Sequence, residues 1–413
     1  MGVIRFRPRA RAGGAQAGRQ PSVLDLFAGA GGFSLGFHRA GFRTLAAIDH
    51  DPEATETLEA NFGHLGTRAF TRDLSTYGPR DLEKDLGLDP GAPQPFDVIV
   101  GGPPCQGWSR VGRGKLRSLR KSRIKGALLK DPRNELYKRF LNYVGHFGPS
   151  VAVMENVPGM LYHAEGNVAE TVAGNLKDLG YTVTWALLNA VNYGVPQLRE
   201  RLFFVGVRAE LRANFAFPKE SPGCKGGRTV RDAIGDLPVI RNGSQDWIRP
   251  YQQRKALGPY ARLMRAGAEP KTVYDHVCRT QNEQDLEAFR LMKEGGWYRD
   301  LPARLKRYRD DIFEDKYKKL YWDRPSWCVT AHLSKDCYTH IHPGQARTIT
   351  VREAARLQSF PDCFYFAGNM GTKFRLIGNA VPPRLAERIG QALMTQVFEL
   401  GARRREKVLE RTA

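Results

Sequence analysis

The chain has 413 residues and a formal net charge of +21. This length is sufficient for two domains, and the positive charge favours a polyanionic partner, because lysine and arginine neutralise phosphates and release counterions. No apolar run approaches the ~18 residues that span a membrane, and the six cysteines include no Cys-x-x-Cys pair. The sequence therefore predicts no membrane-spanning helix and no disulfide framework, and it indicates a reducing compartment. A solvated basic surface is the alternative interpretation of the charge.

The first 20 residues form a basic segment with five arginines and no acidic residue. They contain no apolar core of the kind that a secretory signal needs. We expect residues 1–20 to be a disordered basic arm, with an organelle transit peptide as the alternative, and residues 401–413 to be a charged tail.

An apolar run at residues 23–27 leads into the turn Ala28-Gly29-Ala30-Gly31-Gly32-Phe33-Ser34. This pattern predicts a buried strand, a glycine turn where a ligand and the backbone approach closely, and a helix. Ser34 stands where a dinucleotide-binding turn would have its third glycine, so a pyrophosphate ligand is not favoured. The next apolar run, residues 44–48, ends in Asp49, whose carboxylate suits hydrogen bonding to ribose hydroxyls.

A cysteine follows the next predicted strand directly. Residues 96–100 are largely apolar, and they precede Gly101-Gly102-Pro103-Pro104-Cys105-Gln106. The two prolines hold the chain rigid at the carboxyl end of the strand, where open α/β sheets place their chemistry. The sequence therefore predicts that Cys105 is a nucleophile, although a lone buried cysteine is more often a small hydrophobic residue.

Two further strand ends carry charged side chains. Residues 150–154 lead into Glu155-Asn156-Val157-Pro158, and Gln197-Leu198-Arg199-Glu200-Arg201 precedes an apolar run at 202–207. Taken singly, a strand-end glutamate is usually solvated, and paired arginines are usually surface charge. A nucleophile, an acid and an arginine pair at three strand ends together predict a catalytic site.

The order of these motifs resembles the bacterial DNA (cytosine-5) methyltransferase family, from about residue 22 to about residue 390. The resemblance implies a doubly wound, Rossmann-like α/β methyltransferase domain with a smaller irregular α+β target recognition domain. It implies transfer of a methyl group from S-adenosyl-L-methionine to C5 of a flipped-out cytosine in a specific double-stranded DNA sequence, through a covalent Cys105–C6 intermediate. We expect the catalytic domain at residues 21–208 plus 346–400 and the recognition domain at residues 209–345.

The family's motifs assign catalytic roles to Cys105, Glu155, Arg199 and Arg201. Glu155 would neutralise charge that builds toward N3 of the base, and the two arginines would hold its O2. The base-binding set that the resemblance implies is completed by Pro104, Gln106, Asn156 and Gln197.

The resemblance also implies a cofactor pocket, in which Phe27 and His50 cover the adenine faces and Asp73 accepts from the adenine amino group. Asp49 stands where the family usually has glutamate, and residues 377–383 match a last motif that folds back beside the glycine turn. The full predicted set is Phe27, Ala28, Gly29, Gly31, Gly32, Asp49, His50, Asp73, Leu74, Pro103, Leu136, Asn379 and Val381.

A basic, glycine-containing stretch follows Cys105. Our hypothesis is a mobile lid that folds onto DNA phosphates, with a solvated basic loop as the alternative. The predicted DNA contacts are Arg113, Lys115, Arg117, Arg120, Lys121 and Arg123.

Within the recognition segment, basic and aromatic residues alternate between Trp297 and Trp322. In one interpretation, the basic residues contact phosphates and the aromatic residues stack or pack in a groove. In the other, the stretch is amphipathic and its aromatic residues lie in the core. The two interpretations are compatible. The spacing of Cys328, His332, Cys337, His340 and His342 does not match a zinc finger, so we expect no metal. Thr350-Val351-Arg352-Glu353 is a capping box that predicts a short helix, ended by Pro361.

Three alternatives to DNA methylation stay open at this point: an RNA cytosine-5 methyltransferase, a sequence-specific DNA-binding protein without turnover, and a nicotinamide dehydrogenase. We expect a monomer in the cytoplasm, associated with the nucleoid and with no membrane partner. The sequence defines neither the recognition site nor whether a cognate restriction endonuclease exists as a functional partner.

Overall fold

The computed structural model of the chain describes residues 19–89, 95–104, 135–162, 168–221, 227–252, 256–269, 271–307 and 316–399. These residues form two compact units. The first, called the sheet unit, comprises residues 19–189, Glu200–Lys219 and 385–399. The second unit comprises Ala190–Arg199 and Glu220–Arg384.

The sheet unit contains a seven-stranded sheet with the order β3-β2-β1-β4-β5-β7-β6. Strands β1 to β5 run parallel, whereas β7 is antiparallel to both of its neighbours. The strand order reverses between β1 and β4, which is where open α/β sheets bind ligands. The strands are β1 Ser22–Leu26, β2 Arg43–Asp49, β3 Arg68–Thr71, β4 Val98–Gly101, β5 Val151–Asn156, β6 Tyr181–Asn189 and β7 Glu200–Arg208.

Helices pack against the sheet, and their apolar side chains form a core with those of the strands. The side chains of Leu24 and Ile99 in the sheet belong to one buried cluster with Phe140, Val144 and Val172 of the helices. Because parallel strands are buried on both faces, they appear in the sequence as continuous apolar runs. The helices of this part are α1 Gly32–Arg39, α2 Pro52–Phe62, α3 Pro79–Leu86, α4 Leu136–Phe147 and α5 Val168–Asp178. This architecture confirms the predicted doubly wound α/β fold.

The second unit is irregular, with short helices and one antiparallel pair, β8 Ile248–Pro250 and β9 Thr272–Tyr274. Its helices are α6 Val230–Ile234, α7 Pro259–Arg265, α8 Glu283–Leu291, α9 Val351–Leu357 and α10 Met370–Asn379; α11, Pro383–Leu393, and a π-helix, Met394–Glu399, follow. The capping box at α9 is confirmed, because Thr350 Oγ1 accepts from Glu353 N at 3.0 Å and Glu353 Oε2 accepts from Thr350 N at 2.8 Å.

Buried ion pairs hold the irregular segments of the second unit together. Arg347 donates two hydrogen bonds to Glu353, at 2.8 and 2.7 Å, and Arg356 pairs with both Asp236 and Asp362. Burial raises the pKa of Glu353, but the adjacent Arg347 outweighs this effect and holds that pKa below its usual value. Breaking such a pair is costly because it leaves an uncompensated buried charge.

Residues 346–384 thus belong to the same compact unit as residues 220–345. The functional division into a catalytic part at 21–208 plus 346–400 and a recognition part at 209–345 stays a prediction. Within the described ranges, the structure contains no helix long and apolar enough to cross a membrane.

Candidate active site

The carboxyl ends of β4 and β5 and the amino end of β7 meet at one edge of the sheet. Because β7 is antiparallel to β5, its first residues lie beside the last residues of β5, with Asn156 opposite Leu202. This arrangement brings Arg201 next to Glu155. The guanidinium Nε of Arg201 lies 2.9 Å from Glu155 Oε1, and both side chains are largely buried. Such a charge-assisted contact fixes the direction of the carboxyl group.

The two glycines at the carboxyl end of β4, Gly101 and Gly102, have different neighbours. A Cβ at Gly101 would lie 2.8 Å from the carbonyl oxygen of Leu26 and 3.0 Å from the ring of Phe140. A Cβ at Gly102 would lie 3.2 Å from Glu155 Oε2. Gly101 therefore allows β4 to pack, whereas Gly102 leaves room for the carboxyl group of Glu155.

Asn156 ties the end of β5 to the proline turn. Its Nδ2 donates to the carbonyl oxygen of Pro103 at 3.2 Å, and its Oδ1 accepts from Val157 N at 2.8 Å. Pro103 is buried and Pro104 is exposed. The chain that leads to Cys105 is thus anchored to the strand that carries Glu155.

The glycine turn after β1 uses three left-handed residues, Phe27 with φ 55°, Gly29 with φ 53° and Gly31 with φ 78°. A Cβ at Gly31 would lie 2.8 Å from Leu58 Cδ2, so this glycine is needed for packing. A Cβ at Gly29 would meet no atom within 4 Å. The turn therefore has open space in front of Gly29, as a ligand site requires, and Phe27 carries backbone strain of the kind found at functional sites.

Asp49 connects the end of β2 to this turn. Its Oδ2 accepts from Gly29 N at 2.8 Å and its Oδ1 from Asp51 N at 3.0 Å. The exposed His50 lies beside it, with Nδ1 at 3.2 Å from Asp49 Oδ1, and this hydrogen bond raises the pKa of His50. Each carboxylate oxygen can accept a further hydrogen bond, which is compatible with the predicted ribose contact.

Ser34 occupies the position of the missing third glycine. It is hydrogen-bonded to Asp25, a buried acid with no role predicted from the sequence. Asp25 Oδ2 accepts from Ser34 Oγ at 2.7 Å and from Ser34 N at 3.2 Å. Asp25 Oδ1 is buried without a hydrogen-bond partner. Burial raises the pKa of Asp25 to about 7 despite the Ser34 hydrogen bonds. The sequence feature that could have identified Asp25 is the presence of an acidic residue within the apolar run of β1.

Asp25→Asn is expected to change how stability depends on pH. The unfolded chain loses the Asp25 proton near pH 3.8 and the folded chain near pH 7, so ionisation penalises the folded state increasingly as pH rises between these values. The variant removes that penalty. The difference in free energy of unfolding, variant minus wild type, should therefore increase by at most about 1.4 kcal/mol for each pH unit. Denaturant unfolding from pH 5 to 8 measures this, with the exposed Asp89→Asn as control. A difference that is constant with pH would contradict the assignment.

Asp73 lies in an exposed turn that α4 holds in place. Asp73 Oδ1 accepts from Ser75 N at 2.8 Å, which lowers the pKa of Asp73. Arg139 of α4 donates to the carbonyl oxygens of Leu74, at 2.8 Å, and Tyr77, at 3.0 Å. Leu136 begins the same helix. Sequence reasoning missed Arg139, because its partners are more than 60 residues away in the chain and no local pattern marks it.

Arg199 and Gln197 belong to the second unit, where their side chains are almost completely buried. Arg199 donates to the carbonyl oxygens of Val329 at 2.8 Å, Ala380 at 2.9 Å and Gly378 at 3.2 Å. Gln197 Oε1 accepts from Val329 N at 2.9 Å. The two arginines of the motif thus differ: Arg201 pairs with Glu155, whereas Arg199 binds backbone carbonyls.

Gln358 extends this buried network. Gln197 Nε2 donates to Gln358 Oε1 at 2.6 Å, and Gln358 Nε2 donates to the carbonyl oxygen of Ala380 at 2.6 Å. The network fixes the end of α10, where Asn379 is exposed and Val381 is buried. The predicted position of these two residues beside the glycine turn stays a prediction.

Gly378→Ala is expected to destabilise the protein by about 3 kcal/mol or more. A Cβ at this position would overlap the peptide between Thr330 and Ala331, a backbone that cannot move aside as a flexible side chain would. Thermal and urea unfolding of the full chain test this. The matched control is Gly174→Ala in α5, where a Cβ meets no atom within 4 Å and alanine should stabilise the helix by about 0.5–1 kcal/mol. Equal stability of both variants would contradict the packing argument.

Two of the histidines considered for a zinc site, His340 and His342, are deeply buried. Burial lowers the pKa of His340 to about 4 and that of His342 to about 3. In the part of the chain that the structure describes, no group of three or more His, Cys, Asp or Glu side chains is arranged to hold a metal ion.

Several predicted residues lie outside the described ranges. They are the nucleophile and its neighbour, Cys105 and Gln106, the six basic residues of the hypothetical lid, nearly all of the basic arm (residues 1–18), and the charged tail. Among the described site residues, the sheet unit brings together Glu155, Arg201, Asn156 and the Pro103-Pro104 turn at one strand edge. A nucleophile following Pro104 would thus be attached to a turn that is anchored beside an oriented acid.

The chain is similar to known proteins along most of its length. The model of a family described as C-5 cytosine-specific DNA methylase matches residues 22–395. The type II methyltransferase M1.HphI of Haemophilus parahaemolyticus is 34% identical, over 90% of this chain and 86% of its own length. The type II methyltransferase M.AgeI of Thalassovita gelatinovora is 32% identical, over 91% of this chain and 99% of its own. The crystal structure of a "putative DNA modification methyltransferase encoded within prophage" of E. coli superposes with a TM-score of 0.73 and 26% identity, covering 92% of this chain and 100% of that one.

Proposed function

The chain belongs to the C-5 cytosine-specific DNA methylase family and is a DNA (cytosine-5) methyltransferase, and from this premise we propose how it acts. The proposed reaction transfers a methyl group from S-adenosyl-L-methionine to C5 of a cytosine that is flipped out of a specific double-stranded DNA sequence. The reaction passes through a covalent bond between Cys105 and C6 of the base. The observation that carries the proposal is the Glu155–Arg201 pair beside the anchored Pro103-Pro104 turn.

The proposed chemistry requires a nucleophile because C5 of cytosine reacts poorly with electrophiles. Addition of the Cys105 thiolate to C6 breaks the aromaticity of the ring, and the electron pair moves toward N3 and makes C5 an enamine carbon. After methylation of C5, a base removes the C5 proton, and the electron pair of that C–H bond expels the thiolate. A water molecule is our candidate for the base.

Glu155 is proposed to stabilise the charge that develops at N3, by donating a proton or a hydrogen bond. Arg201 orients its carboxyl group through the 2.9 Å contact, and Gly102 leaves the space that the other oxygen occupies. We retain the contact with O2 of the base as a proposal for Arg201. The contacts of Arg199, Gln197 and Asn156 support a positioning role for these three side chains, because each holds protein backbone.

The glycine turn fits S-adenosyl-L-methionine better than a dinucleotide. There is open space at Gly29, Asp49 is fixed at the end of β2, and Ser34 occupies the place of the third glycine. The proposed cofactor contacts are Asp49 for the ribose, Phe27 and His50 for the adenine faces, and Asp73 for the adenine amino group. When bound, the cofactor supplies an electrophilic methyl group.

Duplex DNA is the proposed substrate, in agreement with the net charge of +21. The relatives named as type II methyltransferases support a place in a restriction–modification system, with a cognate endonuclease as functional partner. We propose that the enzyme acts as a monomer in the cytoplasm and that residues 209–345 contribute most of the sequence recognition.

Bisulfite sequencing of DNA from a methylation-free host that expresses the chain tests this proposal. Protected cytosines in one short recurring context are expected, and they would identify the target site. Soluble protein without any protected cytosine would contradict DNA methylation and would favour an RNA substrate or binding without turnover. Competition between RNA and DNA would then separate these two alternatives.

Arg139→Gln is expected to weaken binding of S-adenosyl-L-methionine about tenfold, because two hydrogen bonds that place the Asp73 turn are lost. The kcat at saturating cofactor should change little, since Arg139 is a positioning residue and does not contact the reacting atoms. Calorimetric titration of the cofactor measures the effect, with Lys138→Gln as the control, since Lys138 is an exposed cation of the same helix and pairs with Glu135. If Asp73→Asn weakens binding and Arg139→Gln does not, the positioning role is wrong.

A further inference from the structure

Asp25 is an acidic residue inside the buried sheet of the sheet unit. It lies in β1 between Ala47 of β2 and Val100 of β4, and only 1% of its surface is exposed. The glycine turn begins two residues later, at Phe27. An ionised carboxylate loses its hydration in such a place, so the ionised form requires hydrogen bonds or a nearby positive charge.

The hydrogen bonds of Asp25 leave one of its two oxygens without a partner. Ser34, the third residue of α1, donates twice, and both bonds reach Oδ2, at 2.7 and 3.2 Å. Among the described residues, none is hydrogen-bonded to the buried Oδ1. A protonated carboxyl group loses less in this arrangement than an ionised one, because no charge is left uncompensated. Burial correspondingly raises the pKa of Asp25 to about 7.

A second carboxylate acts on the same turn. Asp49 Oδ2, at the end of β2, accepts from Gly29 N at 2.8 Å, and the negative charge of Asp49 also raises the pKa of Asp25. Strand β4 carries no titratable side chain. The charged and titratable side chains of the nearby helices α1, α2 and α11, with the N-cap of α2, are His38, Arg39, Asp51, Glu53, Glu56, Glu59, Glu387 and Arg388.

Two acids beside a glycine turn change the charge that the turn favours. A glycine turn that leads into a helix N-terminus usually attracts anions. Ionised Asp25 and Asp49 oppose an anion, and in a site of low dielectric constant they favour a cation. The cofactor of the proposed function carries a positively charged sulfonium sulfur. After methyl transfer this sulfur is a neutral thioether, so charge is what most distinguishes cofactor from product.

We propose that Asp25 is a specificity-determining residue that makes the enzyme prefer the cationic cofactor to its demethylated product, S-adenosyl-L-homocysteine. In the free enzyme Asp25 holds a proton. When the cofactor is bound, this proton passes to solvent and the carboxylate stabilises the positive charge. With the product bound, Asp25 takes up a proton from solvent again. The inference rests on the proposed function, in which S-adenosyl-L-methionine is the cofactor.

The preference for the cofactor should depend on pH. A bound cation lowers the pKa of Asp25 below its value of about 7 in the free enzyme, so binding releases a proton. The affinity for the cofactor therefore increases as the pH rises toward 7, and it levels off above 7, where Asp25 is ionised in both states. One linked proton limits the increase to about tenfold for each pH unit. The affinity for the product should increase less.

Calorimetric titration of S-adenosyl-L-methionine and S-adenosyl-L-homocysteine into the full chain, from pH 5 to 8, measures the two affinities. Repetition in buffers with different ionisation enthalpies counts the protons that are released. Asp25→Asn resembles the protonated acid. Its ratio of cofactor affinity to product affinity should equal that of the wild type at pH 5 and fall below it at pH 8, with fewer protons released. This comparison removes the contribution of His50, which titrates in both proteins.

Two further variants make the test specific. Ser34→Ala removes a hydrogen bond that favours the ionised form of Asp25, so the rise in cofactor affinity should move to higher pH. Asp97→Asn is the matched control, because Asp97 Oδ2 likewise accepts from the N and Oγ of one serine, Ser22, at 2.7 and 2.8 Å. This pair lies at the opposite end of β1, so the variant should keep the pH dependence of the wild type.

The outcomes separate the inference from the proposed function. If the wild type binds both ligands with a ratio of affinities that does not change with pH, or if Asp25→Asn keeps the wild-type dependence, Asp25 does not distinguish them, while the cofactor assignment stands. If the wild type binds neither ligand and methylates no DNA, both fail. Should Asp25→Asn not fold, as its melting curve would reveal, an unchanged pH dependence in Ser34→Ala would overturn the inference.

Discussion

Cys105→Ser is expected to abolish methylation and to leave binding of duplex DNA within a fewfold of the wild type. A serine hydroxyl is far less nucleophilic than a thiolate, so addition at C6 fails although the shape of the site is kept. We expect a fall in kcat on the order of 10⁴-fold or more, as removal of the nucleophile causes in other covalent enzymes.

Transfer of a labelled methyl group and a DNA-binding titration measure the two quantities on the same preparation. The matched control is Cys363→Ser, since Cys363 is a buried cysteine of the second unit and belongs to none of the proposed motifs. A Cys105→Ser enzyme that methylated DNA at close to the wild-type rate would remove Cys105 from the mechanism. Equal loss in both variants would indicate a structural effect.

Glu155→Gln should lower kcat by about 10²- to 10⁴-fold, the range that general acid catalysis supplies. Glutamine has nearly the same shape, but it cannot transfer a proton and forms no ion pair with Arg201. Because the proposed role lies in the chemical step, DNA affinity and cofactor affinity should change much less than kcat.

Single-turnover kinetics with a cognate duplex separate the chemical step from binding. Glu200→Gln provides the control, because Glu200 is exposed and is separated from Arg201 by one peptide bond. A Glu155→Gln rate within threefold of the wild type would exclude Glu155 as the acid and leave only its structural contact with Arg201.

The strands of the sheet were predictable because parallel strands buried on both faces leave continuous apolar runs. The run at residues 23–27 corresponds to β1, Ser22–Leu26, and the run at 150–154 to β5, Val151–Asn156. The motifs at the strand ends followed from this placement. The sequence alone therefore assigns the candidate site to the ends of these strands.

The partners of individual side chains could not be predicted, because they come from distant parts of the chain. Arg199 and Arg201 are two residues apart, yet β7 begins at Glu200, so only Arg201 belongs to the strand beside Glu155. Arg199 binds carbonyl groups of residues 329, 378 and 380. No local periodicity encodes contacts over such separations.

The basic and aromatic stretch between Trp297 and Trp322 left two interpretations open, and the structure contains both environments. Tyr298 and Tyr317 are fully buried in the small apolar cluster, whereas Trp297 is only partly buried and supports Lys318. The segment is irregular, so neither a helical nor a strand period assigns its residues to a face. Only the packed structure separates the two sets.

Ala190–Arg199 limits how the second unit, to which we assign most of the sequence recognition as a proposal, can be exchanged between relatives. Strand β6 ends at Asn189 and β7 begins at Glu200, and these two residues are paired in the sheet. The ten residues between them, Ala190–Arg199, belong to the second unit. A chimera that imported only Glu220–Arg384 would surround the resident Arg199 and Gln197 with foreign carbonyl groups. Productive recombination should therefore carry Ala190–Arg199 together with the larger segment, so transfer of the second unit requires the exchange of two separate segments.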